Sequence, residues 1–180
     1  KSLLAFLSKR LNLLPFQVYK IKGPLACADL MSLYRVERPD LKDAPYTPRI
    51  PAPFSEGTTN VYSMLRRSDM LLYHPYDSFV PVLDFLRRAA EDPKVIAIKQ
   101  TLYRVGNESP VVDALIDAKR NGKQVTAVVE LKARFDEERN IKWADTFEDE
   151  GLHVVYGLVG MKIHAKLCLV VRREDDGIRR

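Results

Sequence analysis

Leu4, Leu7, Leu11 and Leu14 recur every three or four positions, which predicts an amphipathic helix that buries one face and stops at Pro15. A second helix is predicted from Pro24, near its first turn, to Tyr34, with Leu25, Ala28, Leu30 and Leu33 partly buried. The periodicity then fades. Pro39, Pro45, Pro48, Pro51 and Pro53 crowd residues 38–55, which read as an extended linker. The boundary drawn from this shift separates residues 1–52, the end of a helical domain plus the linker, from residues 53–180, the first part of an α/β domain.

Past the linker, a short strand is predicted over residues 69–74, and Ser78 is placed to cap a helix in which Phe79, Val82, Leu83 and Leu86 share a face. Residues 94–103 form a strand, Ser109-Pro110 opens a helix that Gly122 closes, and residues 123–131 form the next strand. Residues 137–150 carry Ile141, Ala144 and Phe147 on one helix face and stop at Gly151, and two strands follow over 152–156 and 163–171. Repeated β-α-β order with nearly continuous apolar strands implies an α/β fold. Its sheet is expected to be mostly parallel and flanked by helices, with a short helical segment before it.

Composition narrows the class. Apolar residues make up 46% and charged residues 29%, the balance of a soluble globular protein, and no apolar run reaches the length of a membrane span. The apolar stretch near the N-terminus is broken by polar residues after Leu7 and reads as a helix, not a signal peptide. The chain opens without Met and stops on Arg179-Arg180 just after a strand-like run, so an internal fragment of a longer protein is expected. The net charge of +5 is uneven: residues 1–60 hold nine Lys/Arg against five Asp/Glu, and residues 61–180 hold 20 against 19. That near balance argues against a general nucleic-acid binder, so an anion site must come from a few placed cations. Cys27 and Cys168 lack metal-ligand spacing and predict free thiols in a reducing cytoplasm.

Candidate chemistry gathers at strand ends, where open α/β sheets place ligands. Arg104 follows the strand ending at Tyr103, Arg134 follows the strand ending at Leu131, and His164 and Lys166 lie near the start of the last strand. Their i, i+2 spacing would put His164 and Lys166 on one face of that strand. A neutral imidazole nitrogen can attack phosphorus, and Lys166, Arg104 and Arg134 could hold the phosphoryl oxygens. Arginine suits that task because its planar fork engages two oxygens. The plain alternatives are a hydrogen-bonded core histidine and loop arginines in surface ion pairs. His74 and His153 lack comparable partners and read as structural. The Gly157–Gly160 turn matches neither a Walker loop nor a dinucleotide fingerprint, which weighs against a P-loop kinase and a Rossmann dehydrogenase.

Five ordered blocks carry a family resemblance. They are Gly23-Pro24-Leu25 with Asp29-Leu30-Met31, residues 73–79 (YHPYDSF), residues 98–104 (IKQTLYR), residues 129–137 (VELKARFDE) and residues 162–167 (KIHAKL). On these the chain resembles the bacterial polyphosphate kinases that work through a phosphohistidine. The resemblance implies reversible transfer of the terminal phosphate of ATP to inorganic polyphosphate, on catalytic domains similar to phospholipase D. It implies that His164 is the phosphorylated nucleophile and that Arg104 and Arg134 form the Mg²⁺ site. A guanidinium has no lone pair for a cation, so we read those arginines as holding phosphate oxygens that in turn hold Mg²⁺. It further implies a cytoplasmic homo-oligomer, sometimes membrane-associated at the periphery as the full-length protein; the charge balance, for its part, predicts no nucleic-acid partner. Val171 stands where a full phospholipase-type motif would carry an aspartate. A second histidine element and the N-terminal nucleotide contacts are expected outside these residues, so this segment by itself is not expected to turn over. Two other readings share the cations: a phospholipase D-like phosphodiesterase or nuclease, and a polyphosphate-binding module without catalysis.

Overall fold

Apolar strands joined by helices of matching length leave few ways to bury both, and the computed structural model adopts one of them. It describes residues 2–55, 60–106, 108–157 and 160–180. Residues 158 and 159, inside the expected Gly157–Gly160 turn, lie outside that set. The chain divides into two compact units, residues 1–46 and residues 47–180.

In the first unit, helix α1 spans Leu3–Arg10, capped by Ser2, whose hydroxyl accepts from the Ala5 N–H at 3.3 Å. The second predicted helix is instead a run of 3-10 turns over Cys27–Arg35. The expected burial of the leucine face fails: Leu4, Leu7, Leu11 and Leu14 are all exposed, and none of the described residues of this unit is buried. The reason is size, since so short a unit cannot build a core against which a helix face could pack.

The second unit begins with the short helix α2 (Ala52–Ser55) and α3 (Val61–Arg67), the latter capped by Asn60 Oδ1 accepting from the Tyr62 N–H at 3.0 Å. The strand expected over 69–74 is absent; the segment is irregular and turns at residues 74–76. Buried Asp77 organises it, accepting from the Tyr73 N–H at 2.8 Å and Arg49 Nε at 2.7 Å. These local side-chain bonds offer the backbone an alternative to a strand ladder. Helix α4 (Val80–Glu91) follows, burying Pro81, Leu86, Ala89 and Ala90, while Phe79 stays exposed.

Strand β1 (Val95–Leu102) leads through α5 (Pro110–Arg120) to β2 (Gln124–Val129), then through α6 (Glu137–Asp149) to β3 (His153–Tyr156). Strands β4 (Cys168–Glu174) and β5 (Gly177–Arg179) complete a five-stranded sheet of order β3-β2-β1-β4-β5. The α/β class holds, and the sheet is mixed. β1, β2 and β3 are parallel, whereas β4 runs antiparallel to β1 and β5 antiparallel to β4. Ser109 caps α5 and Pro110 occupies its first turn; Gly122, at φ +79°, ends it by supplying the left-handed conformation.

The core lies between α4, α5, α6 and one face of the sheet, with Phe147, Ile98, Leu115, Val112 and Val129 the largest apolar side chains fully enclosed. Burial alternates along β2: Val125, Ala127 and Val129 are buried, Thr126 and Val128 half-buried. Within this chain one face of β2 is thus covered more deeply than the other.

Candidate active site

Strand β4 starts at Cys168, later than predicted, so residues 163–167 are not a strand and the alternation argument for His164 and Lys166 does not apply. Side-chain chemistry holds this stretch instead. Thr101 Oγ1 donates to the Ala165 carbonyl at 2.8 Å and accepts from the Leu167 N–H at 2.8 Å, while the Thr101 N–H donates to the Leu167 carbonyl at 2.9 Å. A hydroxyl that both gives and takes can replace ladder bonds at the point where a strand frays. The His164 segment is thereby moored to the C-terminal end of β1.

The residues that strand alternation was expected to unite meet at Tyr103 instead. The His164 imidazole and the Tyr103 ring are T-shaped, with centroids 4.9 Å apart at 80°. Lys166 Nζ lies 4.2 Å from the centre of the same ring, Lys162 Nζ 5.5 Å and the Arg104 guanidinium carbon 5.5 Å. Three cations thus share one aromatic ring beside an exposed imidazole. Lys166 Nζ also donates to the His164 carbonyl at 2.5 Å, which folds its side chain back over the histidine it follows.

Arg104 and Arg134 are linked, but not fork to fork. Arg104 Nη2 donates to the Arg134 carbonyl at 3.1 Å, while the Arg134 guanidinium lies over the Phe135 ring, 5.0 Å from its centre. Arg104 Nε also stands 3.5 Å from Asp136 Oδ2, and Asp136 pairs with Arg139. The ion-pair alternative therefore describes part of what Arg104 does. Its guanidinium keeps further N–H donors and is exposed.

Two buried polar residues behind this surface escaped the sequence reading. Asn140 is fully enclosed, and its Nδ2 donates to the Tyr103 carbonyl at 2.6 Å and the Glu130 carbonyl at 2.8 Å. It clamps the end of β1, which leads to Arg104, to the end of β2, which leads to Arg134. Glu130 is also buried, accepting from the Lys132 N–H at 2.8 Å and the Ile163 N–H at 2.6 Å. The Ile163 N–H is the main cause holding its carboxyl below the ordinary range; the Lys132 N–H and the charges of Lys162 and Lys132 add to this, and burial opposes it. A signal existed for Asn140: it falls on the same helix face as Ala144 and Phe147, a polar residue among core positions. Glu130 likewise interrupts the end of an apolar strand.

Exposed cations around an imidazole, at the C-terminal ends of parallel strands, can bind phosphate oxygens and present a nucleophilic nitrogen to phosphorus. The same residues do not make a magnesium cage. Among the described residues no three His, Cys, Asp or Glu side chains gather to hold a metal, and arginine cannot ligate one. Among the described residues no helix is long and apolar enough to cross a membrane.

Comparison with known proteins gives this surface a context. The family described as polyphosphate kinase C-terminal domain 1 matches residues 60–180. A polyphosphate kinase of Prosthecochloris aestuarii is 53% identical over 180 residues, covering all of this chain and 25% of the relative. Polyphosphate kinase 1 of Chlorobaculum tepidum is 56% identical over 165 residues, covering 91% of this chain and 23% of the relative. The crystal structure of polyphosphate kinase from Porphyromonas gingivalis superposes with a TM-score of 0.74 at 28% identity, covering 95% of this chain and 26% of that one. The chain spans about a quarter of the length of these relatives. With the family match covering more than half of its residues, this chain belongs to the polyphosphate kinase family.

Proposed function

We propose that this chain is the part of a polyphosphate kinase that carries its phosphoryl-accepting histidine, His164, for reversible transfer of the terminal phosphate of ATP to inorganic polyphosphate. One observation carries the reading: an exposed imidazole beside Tyr103, with Lys162, Lys166 and Arg104 around the same ring. In the forward half-reaction an unprotonated His164 nitrogen attacks the terminal phosphorus. The N–P bond forms as the P–O bond to the leaving ADP breaks. In the second half the terminal oxygen of a polyphosphate chain attacks the phosphohistidine and frees the imidazole. Lys166 and Arg104 stabilise charge on the phosphoryl oxygens, and Arg134 joins them if its side chain leaves Phe135. Mg²⁺ would arrive with the triphosphate and neutralise its oxygens, held by substrate and not by these side chains. ATP or ADP and polyphosphate are thus the proposed partners, and the whole protein supplies what this quarter lacks. Catalysis is proposed to need that whole.

The test uses the full-length protein. Incubation with ATP and Mg²⁺ is expected to place acid-labile, base-stable phosphate on His164, and His164→Ala is expected to abolish both that label and polymer synthesis. Normal synthesis by the variant would refute the reading. Cleavage of a phosphodiester without ATP would point to the phospholipase D-like alternative. Salt-sensitive polyphosphate binding without any covalent intermediate would point to a binding module.

A further inference from the structure

We infer that Glu130 is a positioning residue for His164, acting through the backbone of Ile163. The inference rests on the phosphohistidine reading above. His164 lies in a stretch outside the strands, where no ladder fixes the backbone. The stretch is anchored at two points. On one side Thr101 binds Ala165 and Leu167. On the other the residue directly before His164 donates its N–H to Glu130 Oε2 at 2.6 Å. Without that second anchor, the chain entering His164 would pivot about Thr101.

The choice of glutamate has a physical basis. Its two oxygens each accept one backbone N–H, Oε2 from Ile163 and Oε1 from Lys132, so one side chain joins the loop after β2 to the segment after β3. Asn140 Nδ2 fixes the Glu130 carbonyl in turn, and through the Tyr103 carbonyl it fixes the ring against which His164 rests. An unbroken chain of contacts thus runs from the imidazole through Tyr103, Asn140 and Glu130 back to the residue before the imidazole. Glu130 is buried, and both of its carboxylate oxygens are engaged by backbone N–H groups, which suits it to positioning and not to chemistry. A glutamine would keep the shape but turn an NH2 toward one of the two N–H groups, breaking one anchor. An aspartate would keep the charge but fall short by about one methylene.

In full-length enzyme with ATP and Mg²⁺, Glu130→Gln is expected to slow single-turnover phosphorylation of His164 by about tenfold or more, because small misplacement of a reacting group is costly. The stoichiometry of labelled histidine and the KM for ATP should stay within about twofold of wild type. Glu130→Asp should be slowed in the same way. Reduced labelling with an unchanged rate for the labelled fraction would mean a structural role alone and overturn the inference. So would wild-type rates in both variants. If the variants do not fold, amide exchange in the wild-type enzyme decides: Ile163 should be protected well beyond Gly160 and Met161, and equal exchange would sink the proposal. Absence of phosphate on wild-type His164 would refute the phosphohistidine reading itself, whereas labelled wild type with an unaffected Glu130→Gln rate would refute only this inference.

Discussion

Tyr103 and His164 meet ring to ring, centroids 4.9 Å apart at 80°, although 61 positions separate them in the chain. The contact joins the end of a buried strand to an irregular segment, and it works because both ends are tied: Asn140 holds the Tyr103 carbonyl and Thr101 holds the chain after His164. The same ring faces the cations of Lys166, Lys162 and Arg104. Removing the ring should therefore scatter both nucleophile and cations. In the full-length enzyme Tyr103→Phe is expected to keep phosphohistidine formation within about threefold, since the π face is retained. Tyr103→Ala should lower it by about tenfold or more, the scale of a misplaced reacting group. Equal rates for Phe and Ala variants would remove Tyr103 from the site.

Asn140 is the internal clamp. Replacing it with alanine strips the donor from the half-buried Tyr103 carbonyl and the buried Glu130 carbonyl, while relieving the Asn140 Oδ1 atom, which has no partner among the described residues. The net cost should be about 1–3 kcal/mol, read by urea unfolding. Asn140→Asp should be worse, because a carboxylate would face two carbonyl oxygens. A neutral Asn140→Ala would show that the clamp holds nothing.

Acid should weaken the fold partly through Glu130. Its carboxyl sits below the ordinary value of 4.5 in the folded state, chiefly because of the Ile163 N–H. The unfolded chain takes up the proton first as pH falls. The stabilisation is therefore complete above that ordinary value and disappears as pH drops through the lower folded value. Asp77 behaves alike, lowered first by the Tyr73 N–H and then by Arg49. Melting temperatures of wild type and Glu130→Gln, measured from neutral pH downward, should differ most at neutrality and converge in acid. A constant gap would contradict this.

Tyr62 offers the opposite case. Its hydroxyl is buried without a hydrogen-bond partner among the described residues, and burial, with the nearby Asp92 charge, pushes its pKa up to about 12. The ring packs edge-on to Phe85 and lies under the Arg172 guanidinium at 4.6 Å. Tyr62→Phe keeps those contacts and removes the orphan group, so stability should be unchanged or rise by up to about 1 kcal/mol in thermal or urea unfolding. A loss beyond that would mean that the hydroxyl has a partner in the full-length protein.

The β-α-β alternation was legible in the chain because apolar periodicity and end signals such as Ser109-Pro110 and Gly122 are local. Arg104, Arg134, His164 and Lys166 were legible as candidates because strand ends collect ligands and because the motif blocks resemble a family. Less legible was the stretch 69–74, where Asp77 captures a backbone N–H that a strand would have used. The leucine face of the first unit misled for another reason: periodicity reports what a helix could bury, not whether a surface exists to receive it.

By itself the sequence determined the class of fold, the positions where chemistry-bearing side chains would emerge and the family to which the chain belongs, since each rests on residues near one another along the chain. Only the tertiary structure decided that His164 and Lys166 meet across a tyrosine and not along a strand, that β4 runs antiparallel to β1, and that Glu130 and Asn140 stand behind the site. Those outcomes depend on which backbone groups remain unpaired once the sheet has formed. That accounting spans distant segments and is closed only when the whole core is assembled.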